Sequence, residues 1–280
     1  MSKQYSSFVI WPGSKRRVAG QIADILKSVP RNNNNENPMY IEPFIGSGHV
    51  FLNLMMQDYQ DRTDRKYVIS DTNTDLINCW KYIRDYPIKL IVELEKLNDV
   101  EDTSDNYYEL RKIFNTCTNT LMRCAYFIAL NKRCFCGIYS VNQKDEFNTP
   151  WGYKRNKNIF NKENILQISS LLNYNNVTIL NDDYRDIIKK YPKGIYYMDP
   201  PYMNTFDRYS KDKFSNNEFL ETVKEMKDAI CVYISCSNEM KKSFDDKDIQ
   251  YTSVLSFYRQ NTYVRSKGVL YDEYILHINY

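Results

Sequence analysis

The stretch Ile195-Tyr196-Tyr197-Met198-Asp199-Pro200-Pro201-Tyr202 constrains this chain most. Its first four residues are apolar and β-favouring, the mark of a short buried strand. The two prolines end that strand, because they lack a backbone N–H, fix φ, and push Asp199 out of the helical region. The result is a rigid loop at the carboxyl end of a strand, where open α/β sheets bind their ligands. There Asp199 can accept a hydrogen bond from an exocyclic amine, the Pro200 carbonyl can accept a second, and Tyr202 offers a ring for stacking. A proline turn with a capping Asp has the same local sequence, so the rest of the chain has to decide.

A second strand–loop–helix unit lies upstream. Met39-Tyr40-Ile41-Glu42 reads as a strand, Pro43-Phe44-Ile45-Gly46-Ser47-Gly48 as a glycine turn, and residues from His49 to Met56 as a helix. Gly46 and Gly48 have no side chain, so the backbone there can approach a ligand at the helix N-terminus. The strand Tyr67–Ser70 then ends at Asp71, about 20 residues beyond the glycines, where an acid commonly bonds ribose hydroxyls. Asp75 is the expected cap of the next helix, which leaves Asp71 for a ligand. Near the start, Trp11-Pro12-Gly13-Ser14-Lys15 is a turn whose Trp11 reads equally as a packing anchor or a ligand contact. Strands at Val177–Leu180, Ile230–Ser235, Tyr251–Phe257 and Tyr274–Ile278 bring the candidates to seven. The economical fold is α/β, doubly wound, with one helical insertion.

The insertion runs from Leu76 to Leu172. Helical spacing appears at Leu76–Arg84, Ile88–Leu97, Tyr107–Phe114, Leu121–Leu130 and Ile165–Leu172. Between the last two lies a non-helical run with glycine, asparagine, aromatic and basic residues, which suggests a functional loop or hairpin. Between Thr103 and Ile165 stand ten basic and five acidic residues, a local excess of +5 in a chain whose net charge is only +3. Cations interleaved with Phe135, Tyr139, Trp151 and Tyr153 fit a nucleic-acid surface; a solvated basic face has the same charge.

Other classes are disfavoured. The N-terminus lacks an apolar signal core, and no run approaches the roughly 20 apolar residues of a membrane span. Seven scattered cysteines form no C-x-x-C pair and only two histidines exist, so no metal site is expected and reduced thiols point to an intracellular protein. No G-x-x-x-x-G-K-[ST] is present, and the G-x-G lacks the third glycine of a nicotinamide fingerprint. S-adenosylmethionine, which has ribose and adenine but no pyrophosphate, suits the remaining pattern.

These motifs, in this order, resemble the DNA N6-adenine methyltransferases of the DNA adenine methylase type, α group. The resemblance rests on Trp11–Lys15, Glu42–Gly48, Ser70–Asn78, Asn131–Asn142, Phe147–Gly152 and Asp199–Tyr202, and covers nearly the whole chain. It implies a Rossmann-like class I methyltransferase domain with a mixed seven-stranded sheet (residues 1–75 and 173–280) and a helical target-recognition insert with a hairpin (76–172). It implies S-adenosylmethionine as cofactor, double-stranded DNA as partner, and a monomer. Trp11 and Lys15 would line the cofactor pocket, with Phe44, Gly46 and Gly48 around the methionine portion. Asp71 would bond the ribose, Asp183 with Tyr184 would meet the cofactor adenine, and Asp199, Pro200, Pro201 and Tyr202 would receive a flipped adenine. Lys132, Arg133, Phe135, Tyr139, Ser140, Asn142 and Arg155 would meet DNA. GATC-reading relatives tend to carry Arg where Ser140 stands and Tyr-Asn where Phe135-Cys136 stands, so a site other than strict GATC is expected. Direct transfer needs no covalent enzyme intermediate, so Cys134 and Cys136 are not expected as nucleophiles. The same fold acting on RNA or on cytosine N4, or a silent DNA-binding protein, are the rival readings.

Overall fold

The computed structural model describes residues 6–31, 37–153, 158–174, 177–201, 214–260 and 270–280. In chain order its elements are α1 (Ala19–Lys27), β1 (Tyr40–Glu42), α2 (His49–Gln60), β2 (Tyr67–Ser70), α3 (Thr74–Asp85), α4 (Pro87–Asn98), α5 (Ser104–Thr116) and α6 (Thr120–Arg133). After a single 3-10 turn at Phe135–Gly137 come α7 (Lys162–Tyr174), β3 (Thr178–Leu180), α8 (Tyr184–Lys190) and β4 (Ile195–Met198). The chain closes with α9 (Asn216–Glu225), β5 (Cys231–Ser237), α10 (Asn238–Asp246), β6 (Tyr251–Gln260) and β7 (Leu270–Ile278).

The seven strands form one mixed sheet in the order β3-β2-β1-β4-β5-β7-β6. β1 to β5 run parallel, and β7 is antiparallel to both β5 and β6. The expected Rossmann-like sheet is therefore what the structure shows. β1, β2 and β4 are buried at every residue, as parallel strands covered on both faces must be. The strand order reverses between β1 and β4, and a crevice opens at the carboxyl ends of such neighbours. In register, Ile41 stands beside Tyr196, and Glu42 beside Ile69. Residues just past these positions, Phe44, Asp71 and Asp199, share that edge.

Polar residues start several of the helices: Asn73, Thr103, Asn119, Asp183, Ser215 and Ser237 each accept a hydrogen bond from an N–H of the first turn that has no partner within the helix. Asn73, with Leu76 N–H on its Oδ1 at 2.9 Å, corrects the expectation that Asp75 caps α3. Asp75 instead lies inside the first turn, with its carboxylate on Arg123 of the insert.

One face of the sheet and the insert share a single hydrophobic core. Tyr40, Phe51 and Ile69 belong to the same buried cluster as Trp80, Leu94, Phe127, Leu130 and Ile168. A second cluster covers the opposite face with α8, α9 and α10, through Ile187, Phe219, Val223 and Phe244. The seven cysteines are all unpaired. Among the described residues no helix is long and apolar enough to cross a membrane, and no group of side chains could hold a metal ion.

Candidate active site

Four carboxyl groups and one lysine meet at the carboxyl edge of the sheet. Lys15, brought there by the turn before α1, is only 5% exposed. Its Nζ donates at 2.8 Å to each oxygen of Asp199 and at 2.8 Å to the Gly13 carbonyl, and lies 3.8 Å from Glu273 Oε2. Glu42, at the end of β1, is buried and accepts from the Tyr40 hydroxyl at 2.6 Å. Burial holds the Glu42 carboxyl well above the usual carboxylate range; the Tyr40 bond works against this, Asp199 and Asp71 add to it, and Lys15 opposes it. Tyr197, from β4, is raised first by burial and then by Asp199 and Glu42.

Asp71 follows β2 directly. Its Oδ2 accepts from Gly46 N at 3.1 Å and its Oδ1 from Asn73 N at 2.9 Å. Burial raises its carboxyl, and the backbone N–H groups of Asn73, Gly46 and Thr72 pull it back. A carboxylate has about four acceptor sites, so with these N–H groups bound it keeps acceptor capacity for a ligand. The glycines serve a purpose beyond close approach. Gly46 and Gly48 have φ of +44° and +66°; a Cβ would meet Trp11 Cδ1 at 2.8 Å at the first and Trp80 Cζ2 at 2.6 Å at the second. Trp11 thus closes over the loop, half-buried, at the same edge as Lys15.

Phe44 turns to the other face of the sheet, where its ring stacks on Tyr184 at 5.3 Å between centroids. Phe219 edges both rings. Asp183 caps α8 through Arg185 N at 3.0 Å and pairs with Arg185 Nε at 2.6 Å. Pro200 is buried and Pro201 exposed beside Asp199. Tyr202 lies outside the described residues, as does Arg155.

Between α6 and α7 the chain folds back on itself through two isolated antiparallel bridges, as a hairpin does. Val141 bridges Phe147, and Cys134 bridges Trp151. Asn142 builds its tip, with Oδ1 accepting from Lys144 N and Glu146 N at 2.9 and 3.1 Å. Three of the described arginines, however, are turned inward. Arg133 is 3% exposed and its Nη2 donates to the Leu97 and Val100 carbonyls, so its guanidinium is turned to the backbone of the α4–α5 connection rather than outward. Arg111 bonds the Asn148 and Thr149 carbonyls, and Arg123 pairs with Asp75. Tyr139 is likewise turned inward, packed between Phe127 and Phe147 with its hydroxyl on Asp75 at 3.0 Å. The Ser140 hydroxyl is 2.6 Å from Asn148 Oδ1 and 3.1 Å from Thr149 Oγ1, so it serves the hairpin. Phe135 is 44% exposed and Tyr153, touching Trp151, 81% exposed. Lys132 is half-buried; burial first, then Arg16, lowers its ammonium to about 8.

Besides Glu42, read from sequence only as a strand end, two contributors were given no role there. Glu273 is 2% exposed on β7, and shares a strand face with the buried Ile275. An acid at a buried strand position is itself a signal. Asn131 joins the insert to the N-terminal segment, exchanging 2.8 Å bonds with Ile10 N and O and donating to Gly137 O at 3.1 Å.

The comparisons with known proteins agree with this edge-of-sheet site and its ordered motifs. The family model of the D12 class N6 adenine-specific DNA methyltransferases matches residues 11–262. The type II methyltransferase M.MjaIII of Methanocaldococcus jannaschii is 36% identical over 233 residues, 78% of each chain. The type II methyltransferase M1.LlaDCHI of Lactococcus lactis subsp. cremoris is 33% identical over 218 residues, 74% of this chain and 71% of that one. The DNA adenine methylase of Serratia marcescens is 32% identical over 221 residues, 76% of this chain and 74% of its own. With nine-tenths of its length inside the family match and its carboxylates gathered at the β1–β4 crossover, the chain belongs to the D12 class of N6 adenine-specific DNA methyltransferases.

Proposed function

We propose that this methyltransferase uses S-adenosylmethionine and acts, as a monomer, on an adenine swung out of double-stranded DNA. The observation that carries the reading is the cluster at the sheet edge: Glu42, Asp71, Asp199 and Glu273 around the single ammonium of Lys15. Among the described residues this edge gathers more carboxyl groups than cations, which suits a ligand that brings positive charge, and S-adenosylmethionine has both a sulfonium and an ammonium. Asp71 would take the ribose hydroxyls on its remaining lone pairs, and the Gly46–Gly48 turn with Trp11 would border the cofactor. When bound, the cofactor supplies an electrophilic methyl group.

The protein's own task is positioning. An adenine inside a duplex hides N6, so the base must leave the stack, at a cost of roughly a few kcal/mol. Phe135, exposed on the insert, would fill the gap it leaves. The amine lone pair is delocalised into the ring. Asp199 and the Pro200 carbonyl would each accept one N–H, favour a pyramidal nitrogen, and aim its lone pair out of the ring plane. Asp199 would then take up the proton that N6 gives off. Residues 1–75 and 173–280 form the catalytic part in this reading, and 76–172 the recognition insert.

The test is methyl incorporation into duplex DNA by the parent and the Asp199→Ala variant. Single-turnover methylation at N6 of adenine should fall by at least about 100-fold in the variant, with duplex binding retained. Incorporation at cytosine, or a variant that keeps the parental rate, would overturn the reading.

A further inference from the structure

Asp199 is a poor acceptor as the structure holds it. Lys15 Nζ sits 2.8 Å from both carboxylate oxygens, and its third N–H goes to Gly13 O at 2.8 Å, so all three ammonium donors are used. An ammonium placed across both oxygens draws off the negative charge that an adenine amine would seek. The same nitrogen has a second carboxylate within reach, Glu273 Oε2 at 3.8 Å. Side-chain exposure is 3% for Lys15 and 3% for Glu273, so water screens little of this competition. Glu273 comes from β7, the antiparallel strand whose Glu273 registers with Ser237 of β5. Among the described residues, Glu42 on β1, Asp71 after β2, Tyr197 on β4 and Cys236 on β5 also face the site. Among these described neighbours Lys15 is the cation that both Asp199 and Glu273 contact.

We propose that Glu273 is a positioning residue for methyl transfer: it draws the Lys15 ammonium off one oxygen of Asp199 when the adenine arrives, leaving that oxygen to accept the N6 amine. The shift needed is about one ångström along a lysine side chain with rotatable bonds to spare. Glu273 touches neither base nor methyl group; it acts through Lys15. As the amine loses its proton to Asp199, the ammonium keeps a counter-ion in Glu273, so the buried site is never left with an unpaired cation. The inference rests on the proposed transfer to a flipped adenine and goes beyond it by assigning a residue from the far end of the chain to the reaction.

The experiment uses the full chain with Glu273→Gln, Glu273→Asp, Lys15→Met and the Lys15→Met/Glu273→Gln double variant. Base capture is read without cofactor, from the fluorescence of 2-aminopurine placed at the target adenine of a duplex. Single-turnover methylation is read separately. Glu273→Gln should lower both the fluorescence rise and the rate, the rate by about ten- to a hundredfold, the scale of an ångström-sized misplacement. The rate is read at saturating cofactor, so that a change in cofactor affinity does not enter it, and Glu273→Asp should restore much of the loss. In the Lys15→Met background the second change should be neutral or beneficial, because no ammonium is left to compete for and one buried carboxylate is removed. Parental base capture and rate in Glu273→Gln, or an equal loss in both backgrounds, would overturn the proposal. Should Glu273→Gln fail to fold, Glu273→Met, which also removes the carboxylate, is read in its place by the same two measurements, with parental values in both refuting the proposal. A parent that methylates no adenine would instead overturn the reading on which this inference stands.

Discussion

The junction between sheet and insert is best tested at Asp75. Its carboxylate accepts from Arg123 Nε at 2.5 Å, Arg123 Nη2 at 2.9 Å and the Tyr139 hydroxyl at 3.0 Å. The Asp75 side chain is 8% exposed and that of Arg123 28% exposed. In Asp75→Asn the shape is kept, the charge is lost, and an amide N–H faces one of the donors. Hydrogen bonds to a charged group are worth about 1.5–3 kcal/mol each, but the three share one carboxylate and do not add. Solvent reaching the arginine weakens the ionic part, and Arg123 keeps its bond to Phe114 O at 2.9 Å. The net expectation is a loss of about 2–3 kcal/mol in unfolding free energy. Urea denaturation followed by circular dichroism measures it, and a double-mutant cycle with Arg123→Leu should give a coupling of about 1–2 kcal/mol. Tyr139 begins the hairpin arm, so duplex affinity should also fall although Asp75 is buried. A loss below about 0.5 kcal/mol, the range of ordinary surface substitutions, would refute this account of the junction.

Two further outcomes are expected in the same region of the molecule. Burial first, then Arg16 and Lys132, lowers His49 to about 4, so the unfolded chain takes up a proton before the folded one does. Stability present above the unfolded value near 6.5 is therefore lost as pH falls toward 4, by about 2 kcal/mol between pH 7.5 and 5, and His49→Gln should flatten that slope in urea titrations. Gly48→Ala combines a left-handed φ of +66° with a Cβ only 2.6 Å from Trp80 Cζ2, and Trp80 is fully buried. It should cost about 2–4 kcal/mol, and Trp80→Phe in the same chain should recover part of it; an additive pair would show that the clash is not the cause.

Much of the fold was legible because it is written in local patterns. The apolar runs Tyr67–Ser70 and Ile195–Met198 coincide with β2 and β4 to the residue. A short run of β-favouring side chains that must be buried on both faces has few other ways to fold. The helices of the insert could be read from their period, and the order of the glycine turn, the insert and the Asp-Pro-Pro-Tyr loop pointed to the family. Side-chain destinations were less legible. The excess of cations in the insert looked like a surface, yet Arg111, Arg123 and Arg133 spend their guanidinium groups on carbonyls and on Asp75, because long polar ends must find partners wherever the fold buries them. Spacing alone could not choose Asn73 over Asp75 as the cap of α3, since both are good cap residues and the pairing that claims Asp75 for other use comes from Arg123, 48 positions away. The sequence by itself determined the strands, the turn chemistry and the residues at the ends of β1, β2 and β4. Only the tertiary structure decided that Lys15 and Glu273, 258 positions apart, would meet over Asp199, because that meeting depends on an antiparallel β7 placed beside β5, and no local pattern encodes which strands become neighbours.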